Sequence, residues 1–352
     1  MITKILKART IGDNKATMEE ASAVLRAGGL VAFPTETVYG LGGDATDPEA
    51  SKKIYAAKGR PSDNPLIVHI ADFSQLQNIS GDLPKEAKLL ADAFWPGPLT
   101  MVVNKNSVIP YETTGGLDTV AVRMPSHPVA LELIRESGVM IAAPSANTSG
   151  RPSPTKAEHV AEDLNGRIDM IIDGGPVDIG IESTIVDLTE DIPMILRPGF
   201  INKAMLEEVI GEVRVDPAIV ADNDTLSGAK PKAPGMRYKH YAPKGELTVV
   251  KGTQEEVVNK INQLSKEHEA CGKKTGIIAT SQTERLYETG EVLVIGDRDK
   301  EETIAHNLYD ILRRFDSTEV DYIYSECFDT PTMGQAIMNR LLKAAGQKVI
   351  EL

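Results

Sequence analysis

Lys58 and Arg60, on the turn Ala57-Lys58-Gly59-Arg60-Pro61, and the later run Pro144-Ser145-Ala146-Asn147 carry residue types suited to the oxygens of phosphates and carboxylates. Two fixed cations offset negative charge, and a nearby hydroxyl and amide add hydrogen bonds. Together the two runs read as one anion site. Alone, a Lys-Gly-Arg turn is more often a solvated helix end with basic residues near its C-terminus. Lys58 and Arg60 are expected on an exposed turn. No Walker-type Gly-x-x-x-x-Gly-Lys-Ser/Thr loop occurs in the chain, so phosphate must be held in some other way.

The elements around these residues set where they can sit. Asp47-Pro48 is an N-cap followed by proline at the first helical position, and that helix should turn Ile54 and Tyr55 inward before stopping at Gly59, with Lys58 and Arg60 at its exit. Upstream, Thr17 and Glu20 have capping-box spacing for a helix ending at Gly28-Gly29. Leu30 to Phe33 then reads as a buried strand, and Thr35 to Gly40 as a loop at its C-terminal end, where α/β proteins commonly place ligands.

Short apolar runs at 66–70, 99–103, 120–122, 140–143, 170–172, 185–188 and 194–196 read as further strands, without strict alternation with helices. A strongly twisted mixed sheet is therefore expected for residues 1–212. After a helix over 203–210, residues 213–245 gain Pro, Gly and Ala and lose periodicity, as a linker does. Residues 246–352 return to alternating strands and helices, the pattern of a smaller, parallel, Rossmann-like α/β domain. That domain has no Gly-x-Gly-x-x-Gly fingerprint, which argues against a dinucleotide there.

The 352 residues suffice for two cores, and the formal net charge of -13 argues against an extended nucleic-acid-binding surface. Cys271 and Cys327 lie far from the motif region, which indicates neither a disulfide framework nor a cysteine-ligated metal. No run is apolar enough for a signal peptide or a membrane span, so a cytoplasmic protein is expected.

The words flanking the anion site are more specific than the site itself. Pro34-Thr35-Glu36-Thr37-Val38-Tyr39-Gly40-Leu41 precedes it and Asn64-Pro65-Leu66-Ile67-Val68-His69 follows it. Next come Trp95-Pro96-Gly97-Pro98-Leu99-Thr100, Val120-Ala121-Val122-Arg123-Met124-Pro125, Glu182-Ser183-Thr184-Ile185-Val186-Asp187 and Arg197-Pro198-Gly199. The last is Ala233-Pro234-Gly235-Met236-Arg237-Tyr238-Lys239-His240-Tyr241-Ala242-Pro243. In this order the chain resembles the YrdC-like family in its long, two-domain form.

The resemblance implies a nucleotidyltransferase that joins L-threonine, bicarbonate or CO2, and ATP into threonylcarbamoyl-adenylate with release of pyrophosphate. The product would supply an adenosine beside the tRNA anticodon through a downstream threonylcarbamoyl-transferase machinery. Lys58, Arg60, Ser145 and Asn147 would serve the reacting groups. Threonine would be held by Thr37, His69, Arg123, the backbone at Ala143, and Ser183. ATP would meet Arg60, Asn64, Thr119, Ser145, Ser153, Arg197, Arg237 and Tyr238. Two negative groups must approach within bonding distance, which is where fixed cations act. No paired carboxylate spacing supports a protein-held metal, so magnesium is expected to arrive on ATP.

The linker inverts the local charge. Lys230, Lys232, Arg237, Lys239, His240 and Lys244 gather with Tyr238 and Tyr241, and no acidic residue falls between Asp224 and Glu246. A lid over bound nucleotide, with Arg237 and Tyr238 in contact, fits that pattern as an alternative to a solvated connector. Two other functions compete. One is a tRNA- or double-stranded-RNA-binding module without nucleotide turnover, which the charge and the 5% aromatic content disfavour and which leaves direct tRNA binding open. The other is a carbamoyl-adenylate-handling enzyme of the hydrogenase-maturation type, whose cysteine pairs and added length this chain lacks.

Overall fold

A computed structural model of the chain describes residues 2–8, 14–219 and 241–352. The expected nucleotide contacts Arg237 and Tyr238 lie outside the described residues. Two compact units emerge: Met1–Ser149, Ser153–Asp178 and Glu182–Arg237 form the first, and Gly150–Pro152, Ile179–Ile181 and Tyr238–Leu352 the second.

In the first unit the strands are β1 (Lys4–Lys7), β2 (Val31–Phe33), β3 (Gly40–Asp44), β4 (Ile67–His69), β5 (Leu99–Asn104) and β6 (Thr119–Arg123). They continue with β7 (Ile141–Ala143), β8 (Met170–Asp173), β9 (Thr184–Asp187), β10 (Met194–Arg197) and β11 (Arg214–Val215). Among the described residues these strands form one sheet in the order β1-β8-β2-β3-β7-β4-β6-β5-β9-β10-β11. Parallel pairs such as β4–β6 and β5–β9 alternate with antiparallel pairs such as β5–β6 and β4–β7, so the sheet is mixed as expected.

Side-chain alternation along the central strands divides the two faces of the sheet. Val68, Met101, Val103, Val122, Val186 and Ile195 enter the main core. Their neighbours Ile67, Val102, Ala121, Ile185 and Leu196 form a small separate apolar cluster. The polar site residues described below stand at the ends of these same strands.

Local signals place the helices with one correction. The helix Pro48–Lys58 starts as expected, with the Asp47 side chain accepting from the Glu49 amide and Pro48 in the first turn, and it ends at Gly59 with φ 61°. The first helix instead spans Lys15–Arg26 with Asn14 at its N-cap, so Thr17 and Glu20 lie inside it. Glu20 accepts from Lys4 Nζ at 2.6 Å instead of closing a capping box. The loop expected over Thr35 to Gly40 ends one residue early, because Gly40 pairs with Phe33 and opens β3; within that strand glycine is required at 42, where a Cβ would lie 2.6 Å from Ile141 Cγ2.

The second unit holds β12 (Glu246–Lys251), β13 (Thr275–Thr280), β14 (Glu291–Gly296), β15 (Tyr322–Glu326) and β16 (Val349–Glu351). Every described pairing among them is parallel, in the order β14-β13-β15-β12-β16. This is a Rossmann-like layered sheet, but β15 is inserted between β12 and β13, unlike the consecutive strands of a dinucleotide-binding half. The helix Gln254–Ala270 covers one face, with Val257, Val258 and Ile261 packed beside Ile277 and Ala279. Phe315, on the helix Glu301–Thr318, packs against Gly276 on the other face.

Candidate active site

The turn after Pro48–Lys58 and the Pro144–Asn147 segment, far apart in sequence, meet in the first unit. Lys58 Nζ donates to the carbonyl of Ser145 at 2.5 Å and to that of Asn147, and the Ser149 amide donates back to the Lys58 carbonyl at 2.9 Å. β3 fixes the segment from its other side: the Leu41 amide donates to Pro144 O at 2.9 Å and the Ala146 amide to Tyr39 O at 2.8 Å. Ser145 Oγ donates to Asn147 Oδ1 at 2.5 Å.

The expectation of an exposed Lys58 is overturned. Lys58 is 3% exposed, because a cation that ties down two carbonyls must lie beneath them. Arg60 is partly exposed and braces its own turn, donating from Nε to Asn64 O at 3.2 Å and from Nη2 to Pro65 O at 3.1 Å. Asn64 is buried, and its Oδ1 has no hydrogen-bond partner among the described residues.

Strand register sorts the remaining expected residues along one axis. In the parallel β4–β6 pair, His69 lies opposite Arg123 and Ile67 opposite Ala121, while antiparallel β7 sets Ala143 opposite Ile67. His69 and Arg123 therefore stand together at one end, with Ala143 near the middle. Thr119, at the start of β6 opposite Asn104 of β5, stands about 13 Å from Arg123 at roughly 3.3 Å per residue, towards the end where β4 begins after Asn64 and Pro65.

Arg123 is buried at 3% exposure and gripped on three sides. Its Nη2 lies 2.7 Å from Glu36 Oε1, its Nη1 donates to Thr37 Oγ1 at 2.9 Å, and its Nε donates to Gly97 O at 3.3 Å. Burial pushes the Glu36 carboxyl up, but the Arg123 charge and hydrogen bonding outweigh it and hold Glu36 below its ordinary value. Thr35 Oγ1 sits 2.9 Å from Thr37 Oγ1, which fixes the hydroxyl that Arg123 contacts.

His69 is buried against Phe33, and its Nδ1 lies 3.1 Å from Ile67 O. Burial, followed by the Arg123 charge, lowers its pKa to about 3, so the ring is neutral at physiological pH.

On the β5–β9–β10 side, Ser183 Oγ lies 2.7 Å from Thr100 Oγ1, and Arg197 donates to Ser183 twice, from Nε to the carbonyl at 3.0 Å and from Nη2 to Oγ at 3.1 Å. Ser153 is fully buried and donates to Glu182 Oε1 at 2.6 Å.

Three site partners escape the motif reading: Glu36, Thr100 and Glu182. Each sits inside or at the edge of a quoted motif. The available signal was electrostatic, since a motif carboxylate drawn towards a buried arginine or hydroxyl needs that partner to be buried at all. Among the described residues no group of three or more His, Cys, Asp or Glu converges as a metal cage.

A mixed α/β sheet with cations and hydroxyls gathered at its strand ends defines a YrdC-like protein. Residues 23–199 match the Sua5/YciO/YrdC family model, described as "Telomere recombination", and residues 201–346 match the model "Threonylcarbamoyl-AMP synthase, C-terminal domain". The chain belongs to this family, in its long two-domain form. It is 51% identical over 341 residues to the threonylcarbamoyl-AMP synthase of Bacillus subtilis (strain 168), covering 97% of this chain and 96% of the relative. The enzyme of that name from Pyrococcus abyssi (strain GE5 / Orsay) is 52% identical over 333 residues, covering 94% of this chain and 95% of its own. A solved structure of P. abyssi Sua5 complexed with L-threonine is similar at a TM-score of 0.92 and 49% identity, covering 100% of each chain.

Proposed function

We infer that this protein is a threonylcarbamoyl-AMP synthase, condensing L-threonine, bicarbonate or CO2, and ATP to L-threonylcarbamoyladenylate and pyrophosphate for threonylcarbamoyladenosine modification of tRNA. The observation that carries this reading is the full-length likeness to a Sua5 complexed with L-threonine, joined to a buried arginine and an anion-receptor turn on one sheet.

The threonine amine adds to CO2, losing a proton, and a carbamate oxygen attacks the α-phosphorus of ATP. The bond to the β-phosphate bridging oxygen breaks and pyrophosphate leaves with that electron pair. Arg123 commits Nε to Gly97 and one Nη1 N–H to Thr37, while Nη2, balanced by the Glu36 charge, makes no hydrogen bond among the described residues and is the edge that receives the threonine carboxylate. His69, neutral and weakly basic, acts as a hydrogen-bonding wall of the amino-acid end, with Thr37, Ser183 and the Ala143 backbone. Asn64, Thr119, Ser145, Ser153, Arg197 and the partly exposed Arg60 take the nucleotide, and Arg237 and Tyr238 add to that set. Lys58 shapes the Ser145–Asn147 segment from beneath and lends its charge to the developing phosphorane.

Magnesium would arrive with ATP, held by its phosphate oxygens, and would supply charge neutralisation there. We place the reaction in the cytoplasm, with the product passing to a tRNA threonylcarbamoyl-transferase. No helix among the described residues is long and apolar enough to cross a membrane. The domains run over 1–212 and 246–352 with a basic segment between them, of which Arg214–Val215 is already the edge strand β11 of the first sheet.

Pyrophosphate release measured with each of L-threonine, ATP and bicarbonate omitted in turn tests the reading. Strict dependence on all three is expected, and release without threonine or bicarbonate would overturn it.

A further inference from the structure

The second unit carries a buried carboxylate that the synthase reaction does not use. Glu326, at the carboxyl end of β15, is 1% exposed. It accepts from Thr280 Oγ1 at 3.3 Å, from Tyr287 Oη at 2.8 Å, from Thr283 Oγ1 and from Arg298 Nη2. Four donors saturate this carboxylate. Arg298 Nη1 also donates to Cys327 O at 3.1 Å, so two of the five guanidinium N–H donors are occupied and the side chain is held in place while 31% exposed.

Beside this pair lies a cavity of 130 Å³ lined by Gly252, Gln254, Val257, Arg298, Glu326 and Cys327. Its position follows from the topology. β12 and β15 are neighbours, but β12 leads into the helix Gln254–Ala270 on one face, whereas β15 leads into Gly334–Ala344 and then to β16 on the far side of β12. The connections diverge at the carboxyl ends of these two strands, where open α/β sheets place ligands. Gln254 is the first residue of its helix; of the two acidic residues in that turn, Glu255 is exposed and Glu256 is folded back on Thr253, accepting from its amide at 2.9 Å and its hydroxyl at 2.7 Å.

We propose that this switch-point cavity binds a small oxyanion, an inorganic phosphate or a short-chain carboxylate, through Arg298. The buried Glu326 serves to aim the guanidinium. Size limits the ligand, since a cavity of about 150 Å³ just holds benzene and a nucleotide is several times larger. A saturated carboxylate has no lone pair placed to favour a cation, whereas the guanidinium keeps donors for an acceptor.

Cys327 lines the cavity and serves as the reporter. The test uses the full chain with Cys271→Ser, which leaves Cys327 as the sole thiol. Burial, with Asp329 beside it, pushes the Cys327 thiol up to about 11, so its alkylation by iodoacetamide is followed by mass spectrometry at about pH 9.5, where thiolate is a few per cent of the thiol. Ionic strength is held constant with chloride, with inorganic phosphate titrated in one arm and acetate in the other. A saturable slowing of at least about fivefold is expected in one arm, which also identifies the oxyanion. Arg298→Gln should abolish that protection and Arg298→Lys retain part of it.

Gln254→Glu, an exposed change that leaves the Arg298–Glu326 pair intact, should weaken protection through like-charge repulsion and keeps the test decisive if Arg298→Gln does not fold. No saturable protection by either anion would overturn the proposal, as would equal protection in Arg298→Gln or in Gln254→Glu.

Discussion

Arg123 Nη2 and Glu36 Oε1 lie 2.7 Å apart with their side chains 4% and 6% exposed, so the cation proposed to receive threonine is balanced by a carboxylate from the loop that also supplies Thr37. Removing one member of a buried pair costs about 3–5 kcal/mol, because the other charge is left uncompensated. Glu36→Gln is therefore expected to lower thermal stability and to raise the KM for L-threonine more than that for ATP. Steady-state kinetics with each substrate varied, alongside thermal unfolding, check this; equal effects on both KM values would remove Glu36 from the amino-acid end.

Acid should destabilise the protein through two groups. His69 has a folded pKa of about 3, below its ordinary 6.5, so between those values the unfolded chain binds a proton the folded one does not. Stability then falls as pH drops through that window, by up to about 1.4 kcal/mol per pH unit. Glu36, held below its ordinary 4.5, contributes stability that is present above that value and lost as pH falls through its folded pKa. Unfolding midpoints between pH 7 and 4 should fall in the wild type and less in His69→Asn; parallel curves would contradict the assignment.

Lys58→Ala and Arg60→Ala should differ, although both residues share one turn. Loss of Lys58 strands the carbonyls of Ser145 and Asn147, each worth about 1–3 kcal/mol if buried without a partner, so both folding and rate should suffer. Arg60 is partly exposed, and its loss should act mainly on turnover, by about a hundredfold. Unfolding curves paired with pyrophosphate assays separate the two, and full activity in a folded double variant would dismiss the turn.

Serine should be a poor but measurable substrate, because the methyl group that distinguishes threonine is worth only about 1–3 kcal/mol in an apolar contact. Competition between the two amino acids, read by mass spectrometry as the ratio of the two adenylate products, gives the ratio of kcat/KM directly. Discrimination beyond about a thousandfold would exceed what one methyl contact supplies and would overturn this account of selectivity.

Much of this protein was legible before folding. Apolar runs of three to six residues mark strands wherever both faces of a sheet are buried, and Asp47-Pro48 with Gly59 brackets its helix from cap to cap. These signals act over a few residues, where backbone preference and solvent exclusion decide. The motif words also brought the Lys58 turn and the Ser145–Asn147 run together, because anion chemistry needs cations and donors at one point.

What only the tertiary structure decided lies in pairings between distant residues. Lys58 reads as an exposed charge because its helix ends beside it, but the carbonyls it binds are 87 and 89 residues away. Gly40 reads as the last residue of a loop, yet it opens β3 because it pairs with Phe33 of β2. Thr17 and Glu20 carry the spacing of a cap, but an ion pair to Lys4 on β1 is available only once that strand has paired with β8. The partner of Arg123 likewise appears only when the loop after β2 folds over the end of β6. Local sequence sets which conformations are cheap; burial and the requirement that buried charges be matched select among them across the whole chain.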